Sequence, residues 1–351
     1  MTTQPTGHAR PALSTPPTAR WQATPAQNLV TLLLGFWLMT GIFVDGWAHN
    51  HLGERLETFF TPWHAVFYSG FLAVAVWTAW LGRLGLRRGH RGVQVFPDGY
   101  GLGAAGVVVF ALGGLGDMTW HTLFGIEVGI DALLSPTHLL LFLGAQLLVV
   151  SPLVSCWRHA GGRTMPGARV WPAVLSATAA LSFTSFMHMY AWTLVNLPAA
   201  SSFDGARSFV ASTLLTSLIL TAPVLLLLLR WDLPFGTVTL MFTVNTVLMR
   251  GMTVGLTEDA APLLVMLGAG LTADVLLRAL RPSPTRRAAY RTFAALLPLA
   301  VWVPYLALTA ADRGASLELW TGACVMAALG GLALSTLTVP PALPGTQPAE
   351  P

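Results

Sequence analysis

The sequence predicts an all-α, polytopic transmembrane helical bundle of about ten spans, and three features carry that prediction. Hydrophobic residues make up 54% of the 351 positions and charged residues only 10%, where a soluble domain carries roughly a quarter charged. Apolar runs of about the twenty residues needed to cross a hydrocarbon core recur along most of the chain rather than once near its start. The 19 basic residues are all Arg, and they collect in alternate loops, as the loops of a multi-pass protein do.

The chain opens on a polar stretch, residues 1–27, with Pro5, Pro11, Pro16, Pro17 and Pro25 and without the apolar core of a cleavable signal peptide. It reads as a disordered cytoplasmic tail, and so does the Pro-rich end at 340–351. Between them the apolar runs are 28–47, 63–81, 100–119, 136–153, 171–196, 208–229, 235–254, 260–277, 290–310 and 318–338. The first four form a motif-bearing unit at 28–153 and the other six a second unit at 154–339.

With the N-terminus inside, fifteen of the nineteen Arg fall on the cytoplasmic side, leaving only Arg55, Arg207, Arg250 and Arg313 outside. The positive-inside rule therefore predicts a cell-membrane protein with both termini cytoplasmic. Trp47, Trp63, Trp120 and Trp192 fall near the outer span ends and Trp80, Trp157, Trp171 and Trp231 near the inner ones, where amphipathic rings favour the headgroup layer. The lipid bilayer is the expected partner, and no basic-aromatic patch points to nucleic acid. Cys156, in an inner loop, and Cys324, in an apolar run, suggest neither a disulfide nor a metal pair. Gly101, Gly103, Gly106, Gly113, Gly114 and Gly116 crowd the third span, for which tight helix packing is explanation enough.

The chemistry lies in a repeated pattern. DGWAHNHLGERLETFFTPWH in the first hairpin lies over DMTWHTLFGIEVGIDALLSPTH in the second with small gaps. Asp45 and His49 match Asp117 and His121, Glu54 matches Glu127, Glu57 matches Asp131, Pro62 matches Pro136, and His64 matches His138. A two-helix unit duplicated within the chain accounts for this. The i, i+4 spacing puts each Asp beside its His at the outer end of a span, where a carboxylate meets the negative end of the helix dipole and needs a cation, proton or donor. Thr61-Pro62 and Ser135-Pro136 suit an N-cap and first helical position. His64 and His138 then sit in a first turn, whose positive dipole end favours the neutral imidazole that ligates metal.

Asp45, His49, His64, Asp117, His121 and His138 are therefore the candidate ligands of an outward-facing divalent metal site, for zinc, copper, iron or manganese. Glu54, Glu57, Glu127, Asp131 and the intramembrane His188 are secondary candidates, and the segment between each His pair is placed to roof the site. A purely structural network, with Asp45 accepting from His49, explains one hairpin but not the recurring first-turn His after Pro. Arg250 is placed to neutralise an acid or hold an anionic group, and Asp274, towards the inner end of its span, to pair with an inner Arg.

The runs FVDGWAHNH, FFTPWHAVFYSGF, GDMTWHTLFGIE and DALLSPTHLLL resemble those of uncharacterised bacterial, actinobacterial-type, multi-pass membrane proteins, a resemblance that covers mainly the first four spans and implies no activity. More loosely, Asp-x-x-x-His with a later His resembles the metal-site pattern in the C subunit of particulate methane and ammonia monooxygenases, although here the second interval is longer and the motif occurs twice. The expected function is a membrane metalloenzyme, a hydrolase or oxidase, acting on a lipid-soluble substrate. An ion or proton-coupled transporter is the rival; it needs polar residues continuing inward, whereas the motif-bearing spans turn apolar from Phe71 to Trp80 and from Leu139 to Val150. A metal-handling assembly factor would use the same ligands.

Overall fold

A computed structural model of the chain describes residues 21–52, 60–125, 129–164, 167–256 and 259–341. Among them nine helices are long and apolar enough to cross a membrane. They are α1 (Pro25–Leu52), α2 (Pro62–Arg87), α3 (Gly101–Phe124), the run of α5 (Pro136–Val149) into α6 (Ser151–His159), α7 (Gly167–Met187), α8 (Phe203–Arg230), α10 (Ala261–Leu280), α11 (Arg287–Thr309) and α12 (Leu317–Thr338). The tenth expected span is α9 (Thr237–Thr253), whose 17 residues give it a length of about 26 Å. A one-turn helix, α4 (Gly129–Leu133), lies between α3 and α5. The all-α polytopic fold expected from composition is the fold observed, with no strand among the described residues.

Short polar caps start these helices where the sequence changes from polar to apolar. Thr24 and Gln27 close a reciprocal capping box on α1: the Gln27 amide donates to Thr24 Oγ1 at 3.2 Å and the Thr24 amide to Gln27 Oε1 at 2.8 Å. Thr61 and Ser135 cap α2 and α5 ahead of a proline, accepting from the amides of His64 and His138 at 3.1 and 3.4 Å. Along the helices Leu33, Leu72, Val76, Val108, Leu115 and Leu329 stay exposed, the outward apolar surface that lipid requires and water penalises.

Paired helices approach closely at glycine. A Cβ on Gly41 of α1 would fall 2.5 Å from Phe67 Cα of α2, and one on Gly70 of α2 would fall 2.8 Å from Leu38 Cα of α1. The α3–α5 pair repeats this. A Cβ on Gly113 would lie 2.9 Å from Leu141 N, and one on Gly144 would lie 2.7 Å from Phe110 Cα. Gly41 and Gly113 each precede the motif Asp by four residues, and Gly70 and Gly144 each follow the motif His by six. The matched sequence positions thus make the same backbone contacts in both hairpins.

Helix α7 binds the two parts of the chain. The Gln146 amide of α5 donates to Ala180 O and Thr184 Oγ1 of α7 at 3.0 and 2.7 Å, and Asn245 Nδ2 of α9 donates to Ser185 Oγ at 2.8 Å. One buried apolar core takes residues from α1 through α12.

Three expectations need correction. The fifth span does not run helically to residue 196: α7 ends at Met187, and residues 188–202 link it to α8 as a short 3-10 turn and irregular chain. That backbone is tolerable among buried neighbours because its polar groups find partners. The Thr193 amide donates to Thr216 Oγ1 at 3.2 Å, Thr193 O accepts from Tyr305 Oη at 2.9 Å, and the Ala200 amide donates to Arg313 O at 2.7 Å. Asp274 does not pair with an Arg; its buried carboxylate caps α9, accepting from the amides of Val238 and Thr239 at 3.1 Å each and from Thr239 Oγ1 at 2.6 Å. Cys156 lies within α6 rather than a loop.

Replacing Gly144 by Leu forces a side chain onto the α3 backbone and is expected to destabilise the protein by at least about 2 kcal/mol. Gly251→Ala, in α9 with nothing within 4 Å of the new methyl, is expected to be neutral or stabilising. Thermal unfolding in detergent measures both, and equal melting temperatures would contradict the close crossing.

Candidate metal centre

The glycine crossings fix what faces what one turn further along. Asp45 is four residues on from Gly41, so it sits one turn beyond the closest approach of α1 to α2. There it meets His64, in the first turn of α2, with Asp45 Oδ1 3.4 Å from His64 Nε2. His49, on the same face of α1, brings its Nε2 to 3.8 Å from Asp45 Oδ2. In the second hairpin Asp117 Oδ1 lies 3.4 Å from both His121 Nε2 and His138 Nε2. The six expected ligands thus form two triads, each offering three donor atoms within 4.8 Å of one another.

Backbone carbonyls orient the rings of the second triad. His138 Nδ1 lies 2.6 Å from Ala132 O, and His121 Nδ1 lies 3.2 Å from Gly125 O. A carbonyl oxygen only accepts, so each Nδ1 carries a proton and each ring turns its Nε2 towards Asp117. Thr137 Oγ1 donates to Asp117 Oδ1 at 3.2 Å, and a carboxylate and two imidazole nitrogens face one another. Their 3.4 Å separations equal that of two ligands about 2.1 Å from a tetrahedral metal, which is about 3.4 Å. Backbone carbonyls holding Nδ1–H are also what commonly orients a metal-binding histidine. The donor set and the groups that orient it therefore fit a divalent cation.

Each triad mixes deeper and more open members. Asp117, His121 and His138 side chains are 2%, 4% and 27% exposed, and His64, Asp45 and His49 are 9%, 17% and 33% exposed. Both triads border a single cavity of about 420 Å³, lined by Asp45, His49, His64, Asp117 and His138. At the mouth stand the exposed Asn50, Ile130, Tyr190 and Asn196. Inward the wall turns apolar, from Phe67 and Phe186 to the fully buried Phe110, Ala145 and Phe183.

In the second hairpin the expected roof is present: Gly129, Ile130, Ala132 and Leu133 of α4 line the cavity, and Ala132 also holds the His138 ring. Asp131, on the same short helix, is exposed and is not among the lining residues. Glu54, Glu57 and Glu127 lie outside the described residues. His188 does not line the cavity; its Nδ1 lies 2.8 Å from Thr184 O. Its neighbours Met187, Met189 and Tyr190 do line it. Arg250 is buried but is likewise not a lining residue. His51 stacks on Trp47, ring centroids 5.1 Å apart, outside both triads.

The aromatic inner wall was not anticipated from sequence, because Phe110, Phe183 and Phe186 are ordinary members of apolar spans. A signal did exist for Phe110 and Leu38, which stand seven residues before Asp117 and Asp45 in the two aligned hairpins. Comparison with known proteins adds no further constraint: no family model, curated protein or solved structure matches this chain.

Asp117→Asn weakens one ligand of the second triad while keeping its size. The variant is expected to bind one equivalent of divalent metal fewer than the parent by elemental analysis, and unchanged metal content in a folded variant would show that this carboxylate ligates nothing.

Proposed function

We propose that this protein is a membrane metalloenzyme holding a divalent metal at each of two Asp-His-His triads, in a cavity that opens on the non-cytoplasmic face. The observation that carries this reading is the convergence of one carboxylate and two imidazole Nε2 atoms, twice, beside one cavity that five of the six residues line, His121 lying behind the wall. Asp45, His49 and His64 would hold one ion, and Asp117, His121 and His138 the other. Three protein ligands leave a coordination position open, the arrangement of catalytic rather than structural sites. Such an ion supplies either an activated water for hydrolysis or a centre for oxidation. The recurring Asp, His, glycine and Pro positions support an internal duplication as the origin of the two sites.

The protein side of the chemistry is positioning. Ala132 O and Gly125 O set the ring orientations of His138 and His121, and Thr137 holds the Asp117 carboxylate. The apolar walls keep bulk water from the inner cavity and favour a lipid-soluble substrate. They also weigh against ion or proton conduction, which needs polar groups beyond the triads, although an assembly factor that passes metal on would share these ligands. The outward orientation rests on Arg83, Arg87, Arg88, Arg91, Arg158 and Arg163 gathering at the opposite end of the bundle. There Arg163 donates to Leu228 O and Leu229 O, and Arg230 to Trp157 O and Ala160 O.

Elemental analysis of the purified protein in detergent tests the proposal. Two equivalents of one divalent metal per chain are expected, with one lost in His64→Ala, one in His138→Ala and both in the double variant. A protein that stays folded yet takes up no zinc, copper, iron or manganese on reconstitution would overturn it.

A further inference from the structure

The cavity has a direction, and that direction constrains what reacts. Its mouth carries exposed polar side chains, Asn50, Tyr190 and Asn196. Next come the triads, and beyond them only apolar residues. Phe110 precedes Asp117 by seven residues on α3, and Ala145 follows His138 by seven on the antiparallel α5. Both therefore lie about 10 Å deeper than the ligands at 1.5 Å per residue. Phe183 of α7 joins them, and Phe110, Ala145 and Phe183 are 0%, 1% and 2% exposed, so the deep lining of the cavity is a buried apolar floor.

From this layout we infer that the substrate is a short-chain amphiphile bound tail-first, with its polar end at the triads and its hydrocarbon end on Phe110, Ala145 and Phe183. The inference rests on the metal reading above and adds to it the substrate class, the length limit and the end that reacts. A chain extended over about 10 Å holds about eight carbons, each C–C bond advancing about 1.25 Å, and the 420 Å³ cavity lies at the small end of ligand sites. A long acyl chain does not fit beneath the triads. The atoms presented to the metals belong to the head, not to the tail terminus. Chemistry at a hydroxyl, ester or similar polar end is thereby favoured over attack on the far methyl. The wall that shapes the tail, Phe183, Phe186 and Met187, comes from α7, outside the hairpins that carry the ligands.

Straight-chain alkyl hydroxamic acids test this, because the head chelates metal and the tail length is variable. Binding of the two-, four-, six-, eight-, twelve- and sixteen-carbon members is measured by titration on the metal-loaded protein in nanodiscs, corrected for uptake by protein-free nanodiscs. Metal content is determined on every sample. Affinity is expected to rise up to fourfold or so per methylene to about eight carbons and then fall. Ala145→Phe, which fills the floor, is expected to move that maximum to shorter chains by about three carbons, while metal content and binding of the two-carbon member stay unchanged. Phe183→Ala, which enlarges the floor, is expected to move it the other way.

A profile that rises without a maximum, or one that ignores both floor variants, would overturn the tail-first reading while leaving the metal sites standing. Absence of metal from the parent protein would overturn both. If Ala145→Phe fails to fold, the Phe183→Ala shift decides alone, since that change removes volume.

Discussion

Two helices bring a carboxylate and an imidazole within 3.4 Å only where their backbones already run close together, and here that closeness depends on reciprocal glycines. Gly41 and Gly70 let α1 and α2 touch backbone to backbone, and Gly113 and Gly144 do the same for α3 and α5. From each crossing the Asp is one turn along one helix, and the His lies in the first turn of the other, held by a hydroxyl cap and a proline. Helices a side chain further apart would leave the same residues facing each other across a gap. The caps, the ring orientations and the cavity all inherit their positions from these two contacts.

The remaining energetic problem is electrostatic. At the end of a bundle in a membrane, an uncompensated carboxylate is costly, and the C-terminal end of a helix dipole makes it more so. Asp274 shows how this chain treats a carboxylate whose role is only structural, since two amides and a hydroxyl converge on it. Asp117 is as deeply buried, yet the groups brought to it are one hydroxyl and two imidazole rings, with no backbone amide among them. The contrast between two buried aspartates of one fold separates a cap from a candidate ligand.

Much of this is readable in the sequence, for physical reasons. Hydrocarbon thickness sets span length, so apolar runs mark the bundle and most of its spans; nine described helices are long and apolar enough to cross, and the 17-residue α9 is shorter than those. The triads are readable because the motif occurs twice, which turns weak spacing evidence into a pattern with a common geometry. What escapes is whatever depends on a third element. The glycines at Asp−4 and His+6 look like general packing residues until their partners are known. The end of α7 at Met187 carries no breaker until Pro198, so the apolar run reads straight through it. His188 draws attention as an ionisable residue in a span, while its apolar neighbours are the ones that line the cavity. Asp274 has Arg residues within a few positions, but the free amides of α9 lie nearer in space.

The early end of α7 has a consequence for how such a protein can change over evolutionary time. A helix transmits any insertion as a rotation of about 100° and a rise of 1.5 Å to everything beyond it, so a residue added to α1 or α3 would turn Asp45 or Asp117 away from its partners. Residues 188–202 form no α-helix, and they supply Met189, Tyr190, Val195 and Asn196 to the cavity wall. A change at the exposed positions of that stretch, Tyr190 and Asn196, leaves the register of every triad-bearing helix untouched. The fold thus separates the candidate triads, fixed by helical register, from a part of the cavity wall that is not.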